Sequence, residues 1–148
     1  MKQKEERARI NPQEKNMIET TKRNILLVDD DKFLVDMYSM KFTGQGYSVQ
    51  ACLSANDALQ VLRGGFMPDA IVFDLVMPEH DGFFFLDALR KEKLGAGALR
   101  IALTNESDDT MKAKAVELGA DRLIVKASMI PSEVVYIVGD EITRRHKA

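Results

Sequence analysis

The sequence has a single cysteine and no long hydrophobic run, and each scarcity excludes a class of protein. One cysteine, Cys52, cannot form a disulfide within the chain, and no cysteine and histidine cluster has zinc-site spacing. Because Cys52 lies in an apolar segment, we expect a core residue and not a reactive thiol. No apolar segment approaches the length of a membrane span, and the N-terminus lacks the apolar centre of a signal peptide. We therefore expect a cytoplasmic protein without membrane contact.

A large excess of charge is also missing. The 21 basic and 23 acidic residues give a formal net charge of −2, which argues against a general nucleic-acid binder. The charge is uneven, because residues 1–23 hold seven basic and four acidic residues, a net of +3, which leaves −5 for the rest. We predict a basic N-terminal tail over 1–23, flexible or partly helical, and one domain over 24–146. The tail is interpreted as a solvated leader, with a contact to nucleic acid or a partner as the alternative.

From residue 24 onward, short apolar runs alternate with segments of helical spacing. The runs predicted as strands are ILLV (25–28), YSVQA (47–51), AIVF (70–73), LRIAL (99–103) and RLIV (122–125). Five strand–helix repeats predict an α/β fold, a doubly wound parallel sheet with helices on both faces. The glycines expected to end helices in a left-handed conformation are Gly44, Gly64, Gly65, Gly95 and Gly119.

Polar residues follow four of the predicted strands. Strand 1 runs into Asp29, Asp30 and Asp31, and strand 3 runs into Asp74. Strand 4 ends at Thr104 and strand 5 at Lys126; ligand sites of open parallel sheets lie at this carboxyl edge. In the flavodoxin-like order 2-1-3-4-5, strands 1 and 3 are neighbours, so the carboxylates of the two strands converge.

Converging carboxylates repel one another unless a cation is present. Mg²⁺ binds one or two carboxylates together with waters, and Mn²⁺ is an alternative with the same ligands. Lys126 adds a fixed positive charge and Thr104 adds a hydroxyl. A metal, an ammonium group and a hydroxyl around one nucleophilic carboxylate are what phosphoryl transfer to Asp74 requires.

Four segments in this order resemble the receiver domain of two-component response regulators, the CheY-like family. They are ILLVDDD, DAIVFDLVMPEHDG, IALT and GADRLIVKA, and the resemblance covers residues 24–142. It implies that Asp74 is the phosphoacceptor. It also implies that Asp30 binds Mg²⁺ directly, Asp29 through water, and Val76 through its backbone carbonyl.

The resemblance further implies that Thr104 and Lys126 contact the phosphoryl oxygens. The phosphodonor would be a sensor histidine kinase or a phosphotransfer protein, and phosphorylation would switch protein–protein contacts through the face of helix 4, strand 5 and helix 5. No output domain and no direct nucleic-acid binding by the receiver fold are expected. The chain would be no enzyme beyond its own phosphorylation and slow dephosphorylation.

Three positions depart from the family pattern. Leu123 stands where the family usually has the aromatic residue of its signalling switch, and Ala127 replaces the proline after the lysine, which leaves the Lys126–Ala127 peptide isomer open. Asn105 replaces a small residue. A degenerate receiver that acts as a non-phosphorylated scaffold is therefore the alternative function.

Other residues have structural interpretations. Asp31 is predicted as a helix N-cap, and His80 as a solvent-exposed residue and not a base. Phe84 falls on a more polar helix face than its neighbours. A phosphatase of the haloacid-dehalogenase type is disfavoured, because its general acid two residues after the nucleophile would here be Val76.

Overall fold

The computed structural model describes residues 23–106 and 108–147. The predicted tail, residues 1–23, lies outside the described residues except for Arg23, whose carbonyl accepts a hydrogen bond from the N–H of Ser48. Strands and helices then alternate in this order: β1 Asn24–Val28, α1 Lys32–Gly44, β2 Ser48–Cys52, α2 Ala55–Arg63, β3 Ala70–Asp74, α3 Gly82–Glu92, β4 Leu99–Thr104, α4 Asp109–Glu117, β5 Arg122–Val125, a 3₁₀ turn Lys126–Ser128 and α5 Pro131–Lys147.

The five strands form one parallel sheet in the order β2-β1-β3-β4-β5, which confirms the predicted order. Every residue of β3 and all but Asn24 of β1 are buried, because helices cover both faces of these two inner strands. The edge strand β2 buries only Cys52. At the carboxyl edge, the inner strands β1 and β3 thus end with both of their faces covered by helices.

Two apolar clusters hold the helices to the sheet. One lies between the sheet and α2, α3 and α4, with Phe73 and Phe85 among its buried side chains. The other lies between the sheet and α1 and α5, with Phe42, Ile101 and Val138. Each large apolar side chain contributes about 1.5–3 kcal/mol when fully buried. Among the described helices, none is long and apolar enough to cross a membrane.

Side-chain caps fix where α1 to α4 begin. Asp31, Ser54, Asp81 and Asp108 each accept hydrogen bonds from backbone N–H groups of the first turn. Such a cap contributes about 1 kcal/mol, and the predicted N-cap role of Asp31 is confirmed. These four side chains therefore fix the N-terminal ends of the helices, which lie next to the carboxyl edge of the sheet.

The prediction for the glycines is confirmed at Gly65 and Gly119, which have positive φ, and wrong at Gly44 and Gly64. Gly95 also has a positive φ, but the left-handed residue that ends α3 is Lys93. Helix α1 ends at Gly44 with Gln45 as its C-cap, and Gly46 then takes the left-handed conformation. Likewise Gly64 keeps a φ of −75°, and the next residue, Gly65, takes the left-handed conformation. At both helix ends the later of two glycines takes the left-handed conformation, because the earlier one still belongs to the last hydrogen-bonded turn of the helix.

Cys52 is free and buried at the end of β2. Burial raises the pKa of its thiol to about 11, so the thiolate is scarce at neutral pH. The prediction of an inert core residue is confirmed.

Candidate functional site: an acidic pocket at the carboxyl edge

Strand pairing brings the predicted site residues to one edge of the sheet. Val28 of β1 pairs with Phe73 of β3, so the residues that follow, Asp29 and Asp74, end adjacent strands. Thr104, the last residue of β4, pairs with Val125 of β5, and Lys126 follows directly. The carboxylates therefore come from the neighbouring strands β1 and β3, and the lysine comes from the end of β5, with β4 between β3 and β5.

Lys126 forms ion pairs with both buried carboxylates. Its Nζ donates to Oδ2 of Asp74 at 2.9 Å and to Oδ2 of Asp29 at 3.2 Å. The other oxygen of Asp29 accepts the backbone N–H of Asp31 at 3.0 Å, and Oδ1 of Asp74 accepts that of Val76 at 3.2 Å. These three charged side chains are almost wholly excluded from solvent. They form one hydrogen-bonded cluster.

The electrostatics of the cluster leave one negative charge in excess. Burial raises the pKa of Asp29 above its ordinary value, and the nearby charge of Asp74 acts in the same direction. Burial alone would lower the pKa of Lys126, but its hydrogen bond to Asp74 and the charges of both carboxylates outweigh that effect and raise it. Lys126 therefore stays charged, and a further cation at this site would be favoured.

Oxygens of three carboxylates meet the needs of a hard divalent cation. One ligand oxygen from each of Asp29, Asp30 and Asp74 lies within 4.8 Å of the other two. Octahedral Mg²⁺ with ligands at about 2.1 Å places adjacent oxygens about 3 Å apart and opposite ones about 4.2 Å apart. The three carboxylate oxygens therefore need to move only slightly closer together to bind the ion. Asp30 is exposed while the other two are buried, which gives the cluster one side open to solvent. The residues fit Mg²⁺, and Mn²⁺ would use the same oxygens.

The remaining predicted residues differ in burial and in their position relative to the pocket. Thr104 is buried, and its Oγ1 accepts the backbone N–H of Glu106 at 3.4 Å. Val76 is 60% exposed, so its side chain lies at the rim while its N–H reaches Asp74. Leu123 is half-buried and packs against the apolar cluster that lies between the sheet and α2, α3 and α4. All peptide bonds among the described residues are trans, including Lys126–Ala127.

Two neighbouring residues differ from expectation or were missed. His80 is only half-exposed, because its ring stacks on that of Phe84 with centroids 3.9 Å apart. Sequence reasoning gave no role to Gly82, which packs directly on the backbone of Asp74 and Leu75. A signal was available, since glycine is a poor helix former and here it begins a helix right after its cap.

Known proteins share this fold and this sequence pattern. The family model described as "Response regulator receiver domain" matches residues 25–135. The response regulator SaeR of Staphylococcus aureus (strain USA300) is 30% identical over 124 residues, which are 84% of this chain and 52% of SaeR. The chain thus spans about half the length of the curated relatives it matches.

Solved structures agree. The chemotaxis response regulator CheY4 of Vibrio cholerae superposes with a TM-score of 0.72 at 26% identity, covering 81% of this chain and 98% of CheY4. The receiver domain of DrrB, from Thermotoga maritima, gives 0.69 at 25% identity, covering 85% and 98%.

The parallel sheet of order 2-1-3-4-5 with an acidic pocket at its carboxyl edge defines a signalling domain of the two-component type. The chain belongs to the response regulator receiver domain family. Receiver domains bind Mg²⁺ at such an acidic pocket.

Proposed function

We propose that this chain is a phosphorylation-controlled switch that accepts a phosphoryl group on Asp74. The observation that carries the proposal is the buried cluster in which Asp74 lies 2.9 Å from the ammonium of Lys126 and close to two further carboxylates. The ion pair with Lys126 and the hydrogen bond from the N–H of Val76 hold the Asp74 carboxylate in one orientation, as a nucleophile requires. We propose 24–146 as the bounds of the domain.

In the proposed reaction, an oxygen of Asp74 attacks the phosphorus of a phosphohistidine. The new P–O bond forms as the P–N bond breaks, and the departing imidazole keeps the bonding electron pair and takes a proton from solvent. Lys126 moves from the carboxylates to a phosphoryl oxygen, and Thr104 donates its hydroxyl to another. Mg²⁺, held directly by Asp30, Asp74 and the carbonyl of Val76 and through water by Asp29, would neutralise charge on the transferred oxygens.

The proposed phosphodonor is a sensor histidine kinase or a phosphotransfer protein, and family membership supports a cytoplasmic location. The proposed output surface is formed by α4, β5 and α5. On this side Arg122 of β5 pairs with Glu141 of α5, and Asp121 lies 3.7 Å from Arg145. These ion pairs join α5 to β5 and to the residue before β5, which are two of the three parts of the proposed surface.

A non-phosphorylated scaffold is the second candidate, and Leu123 favours it. The side chain at this position is aliphatic and half-buried, so it offers no hydroxyl or ring that could rearrange when the site changes. The pocket residues would then be retained without a signalling use.

Amide NMR with Mg²⁺ and beryllofluoride separates the two candidates, and a beryllofluoride-activated receiver domain is among the structural neighbours. We expect shifts at Asp74, Thr104 and Lys126 that spread into α4 and are absent in Asp74→Ala. Shifts confined to the pocket would mean acceptance without transmission. No response would favour the scaffold.

A further inference from the structure

Gly82, the first residue of α3, leaves no space between the helix and the strand that carries Asp74. It is buried, and its N–H donates to the carbonyl of Leu75 at 2.9 Å. A Cβ added at Gly82 would lie 2.8 Å from the carbonyl oxygen of Asp74 and 2.8 Å from Cα of Leu75. Real Cβ atoms essentially never come so close to a neighbour, and both of these are backbone atoms that cannot rotate away.

The backbone conformation at Gly82 does not itself require glycine. Its φ is not among the positive values of the described glycines, and alanine is the better helix former. The cap of α3 is supplied by Asp81, whose carboxylate accepts the N–H of Phe84 at 2.9 Å. The absence of a side chain therefore serves the close contact with Asp74 and not the start of the helix.

We propose that Gly82 is a positioning residue for the acidic pocket. By lacking a side chain it lets the first turn of α3 close onto the backbone of Asp74 and Leu75, and this contact sets where the Asp74 carboxylate lies relative to Asp30 and Lys126. The inference rests on the proposed function in taking Asp74 as the phosphoacceptor. It concerns position, which can be measured without phosphorylation.

A side chain at Gly82 has to move one of two elements. The segment after β3 is tied to β4, because the N–H of Leu75 donates to the carbonyl of Leu103 at 2.9 Å. Either this strand end shifts or α3 lifts away. A shift of the strand end displaces Asp74 from Lys126, now 2.9 Å away, and a lift of α3 breaks the hydrogen bond from Gly82 to Leu75 that fixes the backbone directly after Asp74. In both cases the support of carboxylate oxygens that must stay within a few ångström to hold a cation is lost.

The test compares Gly82→Ala with Gly44→Ala in the full chain. Gly44 is also helical with no positive φ, and an added Cβ there meets nothing within 4 Å, so it is a matched control. Mg²⁺ affinity is measured by calorimetry, amide shifts are recorded without metal, and stability is measured in urea. We expect Gly82→Ala to weaken Mg²⁺ binding by about tenfold or more, as loss of a group that orients a ligand does. Its metal-free shifts should differ at residues 74–76 and at Lys126, whereas Gly44→Ala should match the wild type in both.

Asp81→Ala separates position from stability. It removes the cap of α3 but adds no atom to the contact, so we expect a lower urea midpoint with wild-type Mg²⁺ affinity. If Gly82→Ala does not fold in buffer, the titration is repeated with trimethylamine N-oxide, an osmolyte that favours the folded state.

Three results would overturn the inference. The first is a folded Gly82→Ala variant that binds Mg²⁺ as tightly as the wild type. The second is an Asp81→Ala variant whose Mg²⁺ affinity and stability both fall as much as those of Gly82→Ala. The third is a Gly82→Ala variant that does not fold even with the osmolyte. A wild-type protein that binds Mg²⁺ but ignores beryllofluoride would instead contradict the proposed function, and the comparison of Mg²⁺ affinities would still stand.

Discussion

At the scale of single residues, two buried carboxylates are held against one ammonium group. Asp29 and Asp74 are within hydrogen-bonding distance of Lys126, and all three are removed from water. Desolvated charges cost free energy that their attraction only partly offsets. The metal-free pocket is therefore arranged for ligand binding at the expense of stability.

The first residue-scale prediction concerns Asp29→Asn. Because the raised pKa of Asp29 means that the fold disfavours its charge, the variant should be more stable than metal-free wild type at pH 7, by roughly 1 kcal/mol. A group with a raised pKa stabilises the fold below its unfolded-state pKa and loses this contribution as pH rises through the folded-state pKa. The difference should therefore be small in acid and grow toward neutral pH. Urea unfolding in a chelator across this range checks it, and a pH-independent difference would contradict it.

Lys126→Met should have the opposite effect on stability. It leaves Asp29 and Asp74 buried without a counter-charge, so we expect metal-free stability to fall by about 3 kcal/mol. Added Mg²⁺ should restore part of the loss, because it supplies the missing positive charge. Lys112→Met, at an exposed position of α4, is the control and should change little. Equal effects of the two variants in urea unfolding would show that the buried lysine does not compensate the carboxylates.

The exposed side chain of Val76 predicts a long-lived aspartyl phosphate. An attacking water needs a polar group to orient it, and Val76 at the rim cannot form a side-chain hydrogen bond. We expect a half-life of minutes or longer in the purified protein, measured by loss of the phosphoryl group after removal of the donor. Val76→Asn should shorten it. A wild-type half-life of seconds would contradict the prediction and would direct attention to Glu106, whose side chain is exposed near the pocket.

At the scale of elements, α4 is attached to the sheet by fewer buried side chains than its neighbours. Within α4 only Ala115 is fully buried, whereas α2 and α3 each bury four residues. Fewer buried apolar contacts mean a lower free energy of local opening. This looseness would allow a change at Asp74 to be read out through α4.

Hydrogen exchange tests this difference between elements. We expect amides of α4 to exchange faster than those of α2, which has the same length, under conditions that keep the chain folded. Protection of α4 equal to that of α2 would mean that the helix is held by contacts other than buried side chains, and the proposed route to the output surface would lose its basis.

The sequence predicted the elements well and their close contacts poorly. The strands, the helices and the burial of the inner strands follow from hydrophobic patterns, because such patterns report which faces are covered. The strand order, and with it the convergence of Asp29, Asp30 and Asp74, was predicted from the flavodoxin-like order of open parallel sheets. The double ion pair of Lys126 and the contact of Gly82 with Asp74 depend on how distant segments pack, and no local pattern encodes them. At Gly44 and Gly64 the assignments were wrong by one or two residues, because a second glycine follows closely in each case and the sequence pattern does not say which of the two takes the left-handed conformation.

At the scale of the whole molecule, one parallel sheet with two covered faces carries the acidic pocket at its carboxyl edge and the proposed output surface at the side of β5. The family model spans residues 25–135, which include every residue of the pocket. The two apolar clusters pack against opposite faces of the same sheet, so the strand ends that form the pocket lie between helices of both faces.

The role of Asp74 as the phosphoacceptor is tested most directly by intact-mass spectrometry after incubation with acetyl phosphate and Mg²⁺. We predict that the wild type gains the mass of one phosphoryl group, that chelation of Mg²⁺ prevents the gain, and that Asp74→Asn shows none. An unmodified wild type, or an Asp74→Asn variant that gains the same mass, would contradict the assignment of Asp74 as the phosphoacceptor.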